Sequence, residues 1–172
     1  MLADQDKKSS GPRPAEAAPP ARMDHESFRG MAGTCAAYNL RRAARLVTQA
    51  FDQALKPAGL KVTQLSLLVA FLLAPGRNLA QLAGWLGMDR TTLSRNLRIL
   101  QKRGLVEIAP GNDRREQLVR VTPAGKEAVQ RAHPLWEQAQ GEVVSALGEE
   151  KWAAMVKDLR ALAAGLEKHR QD

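Results

Sequence analysis

The chain has 172 residues, 44% of them hydrophobic, which is enough for one compact core and too short for a large multidomain enzyme. Its formal net charge of +8 favours a polyanionic partner, because clustered Lys and Arg gain affinity by releasing counterions from phosphates; charge alone does not separate DNA from RNA or an anionic membrane. The lone Cys35 excludes an intramolecular disulfide and a multicysteine metal site, and the three histidines show no metal spacing, so no cofactor is expected.

Residues 1–22 are rich in Pro, Ala, Ser and charge, with no large aliphatic after Leu2, and cannot bury enough surface to offset ordering entropy. They predict a disordered tail, carried to residue 24 in the domain division, and lack the apolar stretch of a secretory signal. Met1 and Met23 are both open as the start. The most apolar run, 65–74, is too short to span a bilayer, so a soluble cytoplasmic protein without a membrane partner is expected.

From about residue 27 to 56, Leu40, Ala43, Ala44, Val47, Phe51, Ala54 and Leu55 recur at helical spacing until Pro57 and Gly59, which predicts one long amphipathic helix. Thr63 is placed to cap a second, almost wholly apolar helix ending before Pro75 and Gly76; so apolar a helix is expected to be buried on most sides. Residues 79–103 read as two short helices broken at Gly87. Residues 105–110 (LVEIAP) and 117–122 (QLVRVT) then read as the strands of a β-hairpin around the turn GNDRRE. Thr122 and Pro123 open a helix to about Leu147, with Pro134 expected to kink it. After Gly148 a last helix carries Trp152, Met155, Val156, Leu159, Leu162 and Leu166 as an apolar stripe.

The pair at 79–103 has the requirements of a helix-turn-helix. Ala83 lets the helices cross closely and Gly87 tolerates a positive φ in the turn. Leu93, Leu97 and Leu100 form the core face of the second helix. Arg90, Thr91, Thr92, Ser94, Arg95 and Arg98 remain, and long cations with short hydroxyls suit phosphates and base edges in a major groove. Asp89 is expected to cap that helix. The same residues would also fit the solvated face of an all-helical bundle, but the hairpin that follows weighs against it. Its tip holds Asn112, Asp113, Arg114 and Arg115, a cationic probe suited to a narrow minor groove.

The order DRTTLSRNLRILQKRGLVEI, then NDRREQLVRVTPAGKE, resembles the MarR family of bacterial winged-helix regulators over roughly residues 27–168. The resemblance implies a mainly α fold with a small β-hairpin wing: a winged helix-turn-helix over about 60–122, with dimerisation helices at about 27–56 and 123–169 in a domain of 25–170. It implies a homodimer that binds double-stranded DNA at a pseudo-palindromic site, with Arg115 in the minor groove, Asp113 orienting it and Arg114 beside it. Asn96 departs from the aliphatic residue usual at its place and could bond locally or face DNA. The apolar stripe of the last helix independently favours a dimer.

The family resemblance implies a repressor released by a small aromatic or phenolic effector or by cysteine oxidation. Arg45, Trp85, His133 and Trp136 are the candidate ligand contacts. Cys35 is the candidate redox residue, although it falls two positions before the family's reactive cysteine, and Tyr38 is the chain's single tyrosine. No phosphate loop, nucleophile elbow or paired His and carboxylate motif is present, so an enzyme is not expected. A winged helix used for protein contact is the other alternative, against which the arginines argue.

Overall fold

The computed structural model describes residues 24–75, 78–110 and 117–169. By internal contacts the chain divides into two units, Met1–Leu40 and Arg41–Asp172. In the first, α1 spans His25–Thr34, capped by Asp24, whose Oδ1 accepts the Ser27 N–H at 2.8 Å. The single helix expected over 27–56 is in fact two, because the backbone turns extended at Cys35 (ψ 110°) before α2, Ala36–Ala54. Gly30, Gly33 and Thr34 are weak helix formers. The Asn39 side-chain amide donates to the carbonyls of Gly33 at 3.1 Å and Cys35 at 3.0 Å, meeting acceptors at the break.

In the second unit α2 ends in a 3-10 turn, Lys56–Ala58, at Pro57. Helix α3, Val62–Leu73, starts one residue before Thr63, so Thr63 is not its cap. Asp52 of α2 accepts the Val62 N–H at 2.8 Å instead, and Gln64 Oε1 accepts that of Lys61 at 3.1 Å. A carboxylate ten residues back reaches this helix end only through tertiary packing, which a local capping pattern does not register. Buried Gln64 also accepts from Arg103 Nη1 at 3.2 Å, tying α3 to the chain after α5.

Asn78 and Gln81 form a reciprocal capping box at α4, Leu79–Trp85. Gly87 makes the following turn at φ 60°, which a side chain would strain. Helix α5, Arg90–Lys102, opens on Asp89, which accepts the Thr92 N–H at 2.8 Å and the Thr92 hydroxyl at 2.6 Å. These bonds, the hydroxyl's first, hold the Asp89 carboxyl below its ordinary value of 3.8. Leu93, Leu97 and Leu100 are buried, as their i, i+4, i+7 spacing requires. At the far end the Gly104 N–H bonds the Gln101 carbonyl at 2.9 Å and that of Leu105 bonds Leu100 at 3.0 Å, a Schellman closure with Gly104 at φ 68°.

Strands β1, Val106–Pro110, and β2, Gln117–Val121, pair antiparallel with Val106 opposite Val121 and Glu107 opposite Arg120. An isolated bridge joins Asn78 to Leu118, so the start of α4 and the wing are in register. The turn 111–116, with Asp113, Arg114 and Arg115, lies outside the described residues.

Thr122 makes the joint from wing to α6, Pro123–Leu147. Its hydroxyl donates to the Gly104 carbonyl at 2.7 Å and accepts the Gly125 N–H at 3.0 Å, while its own N–H donates to the Leu105 carbonyl at 3.1 Å. Gly125 packs so closely that a Cβ there would run into the Leu105 carbonyl oxygen and come within 2.7 Å of Val121 Cγ1. Helix α6 runs to Leu147 as expected, with Pro134 inside it, and after Gly148 comes α7, Glu149–Lys168. The core joins α3, α4, α5, the hairpin and α6 through Leu68, Leu82, Leu93, Leu100, Val106 and Ala132, all nearly inaccessible. In α7 no residue is buried, and Leu159, Leu162 and Leu166 are exposed. No helix among the described residues is long and apolar enough to cross a membrane.

Two outcomes follow from the caps and joints. Gly125→Ala should cost about 2 kcal/mol or more, because the obstacle is backbone and cannot rotate away; an unchanged thermal midpoint would contradict the close approach. Asp89 stabilises the fold as a carboxylate, so its contribution is present above the unfolded value near 3.8 and is lost as pH falls through the lower folded value. Asp89→Ala should therefore lower the melting temperature at neutral pH, with the gap to wild type narrowing under acid conditions. A gap constant down to the acid end would mean that the charge plays no part.

Candidate nucleic-acid interface and effector cleft

Helix α5 places two chemically different faces on opposite sides. One carries the three buried leucines, each worth roughly 2 to 5 kcal/mol against alanine, which fixes the helix rotationally. The other carries Arg90, Thr91, Ser94, Arg95 and Arg98 around an open groove, joined by Ile99 and Lys102. The sequence reading missed these last two. Lys102 was findable, since it lies one turn beyond Arg98 and two beyond Arg95.

Thr92, expected among the reading residues, does not line this groove. It gives its hydroxyl proton to Asp89 and cannot donate the same proton to a phosphate. Asn96 bonds locally: its side-chain amide donates to the Thr92 carbonyl at 2.9 Å. A polar residue therefore sits on the half-buried flank of α5 with one of its two amide donors engaged within the helix. Arg103, at the end of the same run of cations, is drawn away to Gln64.

A second concavity, of about 410 Å³, opens between α3 and α6. Leu65, Ser66, Val69, Ala70 and Leu73 contribute one face of α3. Val129, His133 and Trp136 contribute the facing side of α6, and Trp85 and Leu86 close the end from α4. The apolar surface is open to solvent, Leu73 being 71% and Trp85 52% exposed. His133 and Trp136 stand with ring centroids 6.2 Å apart, and His133 Nδ1 lies 3.3 Å from Glu137 Oε2.

The structure thus brings together three of the four residues named as ligand contacts, Trp85, His133 and Trp136. Arg45, on α2, is not among the residues lining the cleft. The aliphatic wall from α3 was missed because its residues were assigned to the core; only the packing distinguishes covered Leu67 and Leu68 from the open Ser66, Val69 and Leu73 face. Cys35 is half-buried at the junction of α1 and α2.

A MarR family model matches residues 58–116, the span of the helix-turn-helix and wing. The Mycobacterium tuberculosis transcriptional regulator MosR, solved in complex with DNA, is 40% identical over 79% of this chain and 98% of its own, with a TM-score of 0.73. The transcriptional repressor CouR bound to a 23-mer DNA duplex is 28% identical over 78% of this chain and 96% of its own, with a TM-score of 0.71. CouR from Rhodococcus jostii RHA1 bound to p-coumaroyl-CoA is 26% identical over 76% of this chain and 93% of its own, at 0.65. No curated protein matches the chain. With a winged helix-turn-helix fold and a relative this similar along nearly its whole length, the chain belongs to the MarR family of transcriptional regulators.

Proposed function

We propose that the protein is a sequence-specific DNA-binding repressor that acts as a homodimer on a pseudo-palindromic operator and is released by a small-molecule effector. The observation that carries this reading is the exposed cationic face of α5. Four cations, Arg90, Arg95, Arg98 and Lys102, border one groove on a helix whose opposite face is locked into the core. Such a face neutralises phosphates and offers bidentate donors to guanine edges, while Thr91 and Ser94 supply shorter contacts. The DNA complexes of MosR and CouR support this use of the fold. Arg114 and Arg115, with Asp113, complete the reading as the wing's probe of the minor groove.

The dimer is proposed from α7. Leu159, Leu162 and Leu166 lie exposed on it, more apolar surface than a soluble helix ordinarily leaves uncovered. A two-fold pair would present its two recognition helices about one turn of DNA apart. For the effector, the cleft between α3 and α6 is the site, holding Trp85, His133 and Trp136. Its end wall, Trp85 and Leu86, directly precedes the Gly87 turn into α5, so a guest there bears on the setting of the recognition helix.

Two measurements test this reading. Four cations on each of two recognition helices allow a plot of log affinity against log salt with a slope as steep as about −7, to which the wing would add. Replacing Arg95 and Arg98 together by Ala should flatten it by about 3 to 4 and weaken binding severely, and Arg115→Ala should weaken it strongly without dissolving the dimer. A flat salt response in gel-shift titrations would favour protein contact over DNA. Leu162→Glu should shift the protein toward monomer in sedimentation analysis and weaken operator binding with it; a variant that remains dimeric would remove α7 from the interface.

A further inference from the structure

The cationic groove of α5 contains a residue that phosphate binding does not use. Among the described residues lining it Ile99 is the one apolar side chain, set in the same groove as Arg95, Arg98 and Lys102 and 39% exposed. A single exposed isoleucine is ordinary on a solvated surface. Here it stands in a groove that four cations border, and an aliphatic side chain has nothing to offer a phosphate. Helix propensity does not account for it, since a β-branched residue is a weaker helix former than the Arg, Lys and Gln along the same helix. The buried leucines that anchor α5 lie on its opposite face.

Position and chemistry fit a base edge instead. Ile99 follows Arg95 by four residues, so the two are neighbours along one face of the helix. From Arg90 to Ile99 the helix rises about 13 Å, comparable with the roughly 12 Å width of a DNA major groove, so a helix seated by its first turn keeps its third turn within the groove. Of the features that base edges display there, the thymine 5-methyl is the apolar one, and the rest are donors and acceptors. An isoleucine flanked by cations can cover that methyl and remove both surfaces from water, while Arg95 and Arg98 take phosphates or guanines beside it.

We propose that Ile99 is a specificity-determining residue that reads the 5-methyl group of a thymine in each half-site of the operator. The inference rests on operator binding through α5 and adds a base preference to it.

The test uses the full-length protein to enrich its site from a random duplex library by rounds of gel shift. Each thymine of the enriched half-site is then replaced by uracil, which keeps every hydrogen-bonding group and lacks the methyl. At fixed salt, uracil at one position should weaken wild-type binding about fourfold, and uracil at the symmetric pair about fifteenfold. Ile99→Ala should bind the thymine duplex correspondingly more weakly and lose the difference between thymine and uracil. Its salt slope should stay unchanged, because no cation is removed. Alanine exceeds isoleucine in helix propensity, so this variant keeps α5. Enriched half-sites without thymine, a wild-type protein indifferent to uracil at every position, or a methyl preference that survives in Ile99→Ala would each overturn the inference and leave operator binding standing. A protein that enriches no duplex would overturn the operator-binding reading and this inference together.

Discussion

The close approach of α6 to the chain leaving α5 is the constraint on which the rest of the structure depends. The Leu105 carbonyl accepts the Thr122 N–H, Thr122 bonds the Gly104 carbonyl, and Gly125 leaves space that no side chain could share. Recognition helix, wing and the long α6 therefore meet at one joint of backbone groups, where a displacement of any is felt by the other two. Backbone contacts of this kind are stiff, since no rotamer change can relieve them.

That stiffness gives the two surfaces of the winged domain a common frame. The cationic face of α5 is held outward by Leu93, Leu97 and Leu100, and its first turn is fixed by Asp89. The cleft is framed by α3 and α6, and its end wall belongs to α4. Helix α4 is joined to α5 through the Gly87 turn and to the wing through the bridge between Asn78 and Leu118. A guest in the cleft thus touches the element that leads into the recognition helix, the physical route by which the proposed effector would alter DNA affinity.

The exposed apolar residues fall into two groups with different meanings. In α7, Leu159, Leu162 and Leu166 repeat along a helix, the pattern from which an interface between copies is proposed. Around the cleft, Leu73, Trp85 and Trp136 come from three helices and surround a concavity, the shape from which an effector site is proposed. Periodicity made the first group legible in the sequence. The second has no period, because it is assembled across elements.

What the sequence determined by itself was local in its physics. Apolar spacing placed α5 and its leucines, the Asp89 cap and Gly87 turn marked where it begins, and the alternation around GNDRRE marked the hairpin. The motif order carried the family. Tertiary structure decided what depends on neighbours distant in the chain or on competing bonds. Asp52 took the capping role expected of Thr63 because packing brings it to the start of α3, and Asn39 bonded the carbonyls at the break at Cys35 in a stretch whose apolar period read as one helix. Thr92 gave its proton to Asp89, Asn96 turned to the Thr92 carbonyl, and Arg45 stayed outside the cleft. Residue type tells which bonds a side chain can make; only the folded arrangement decides which partner it meets.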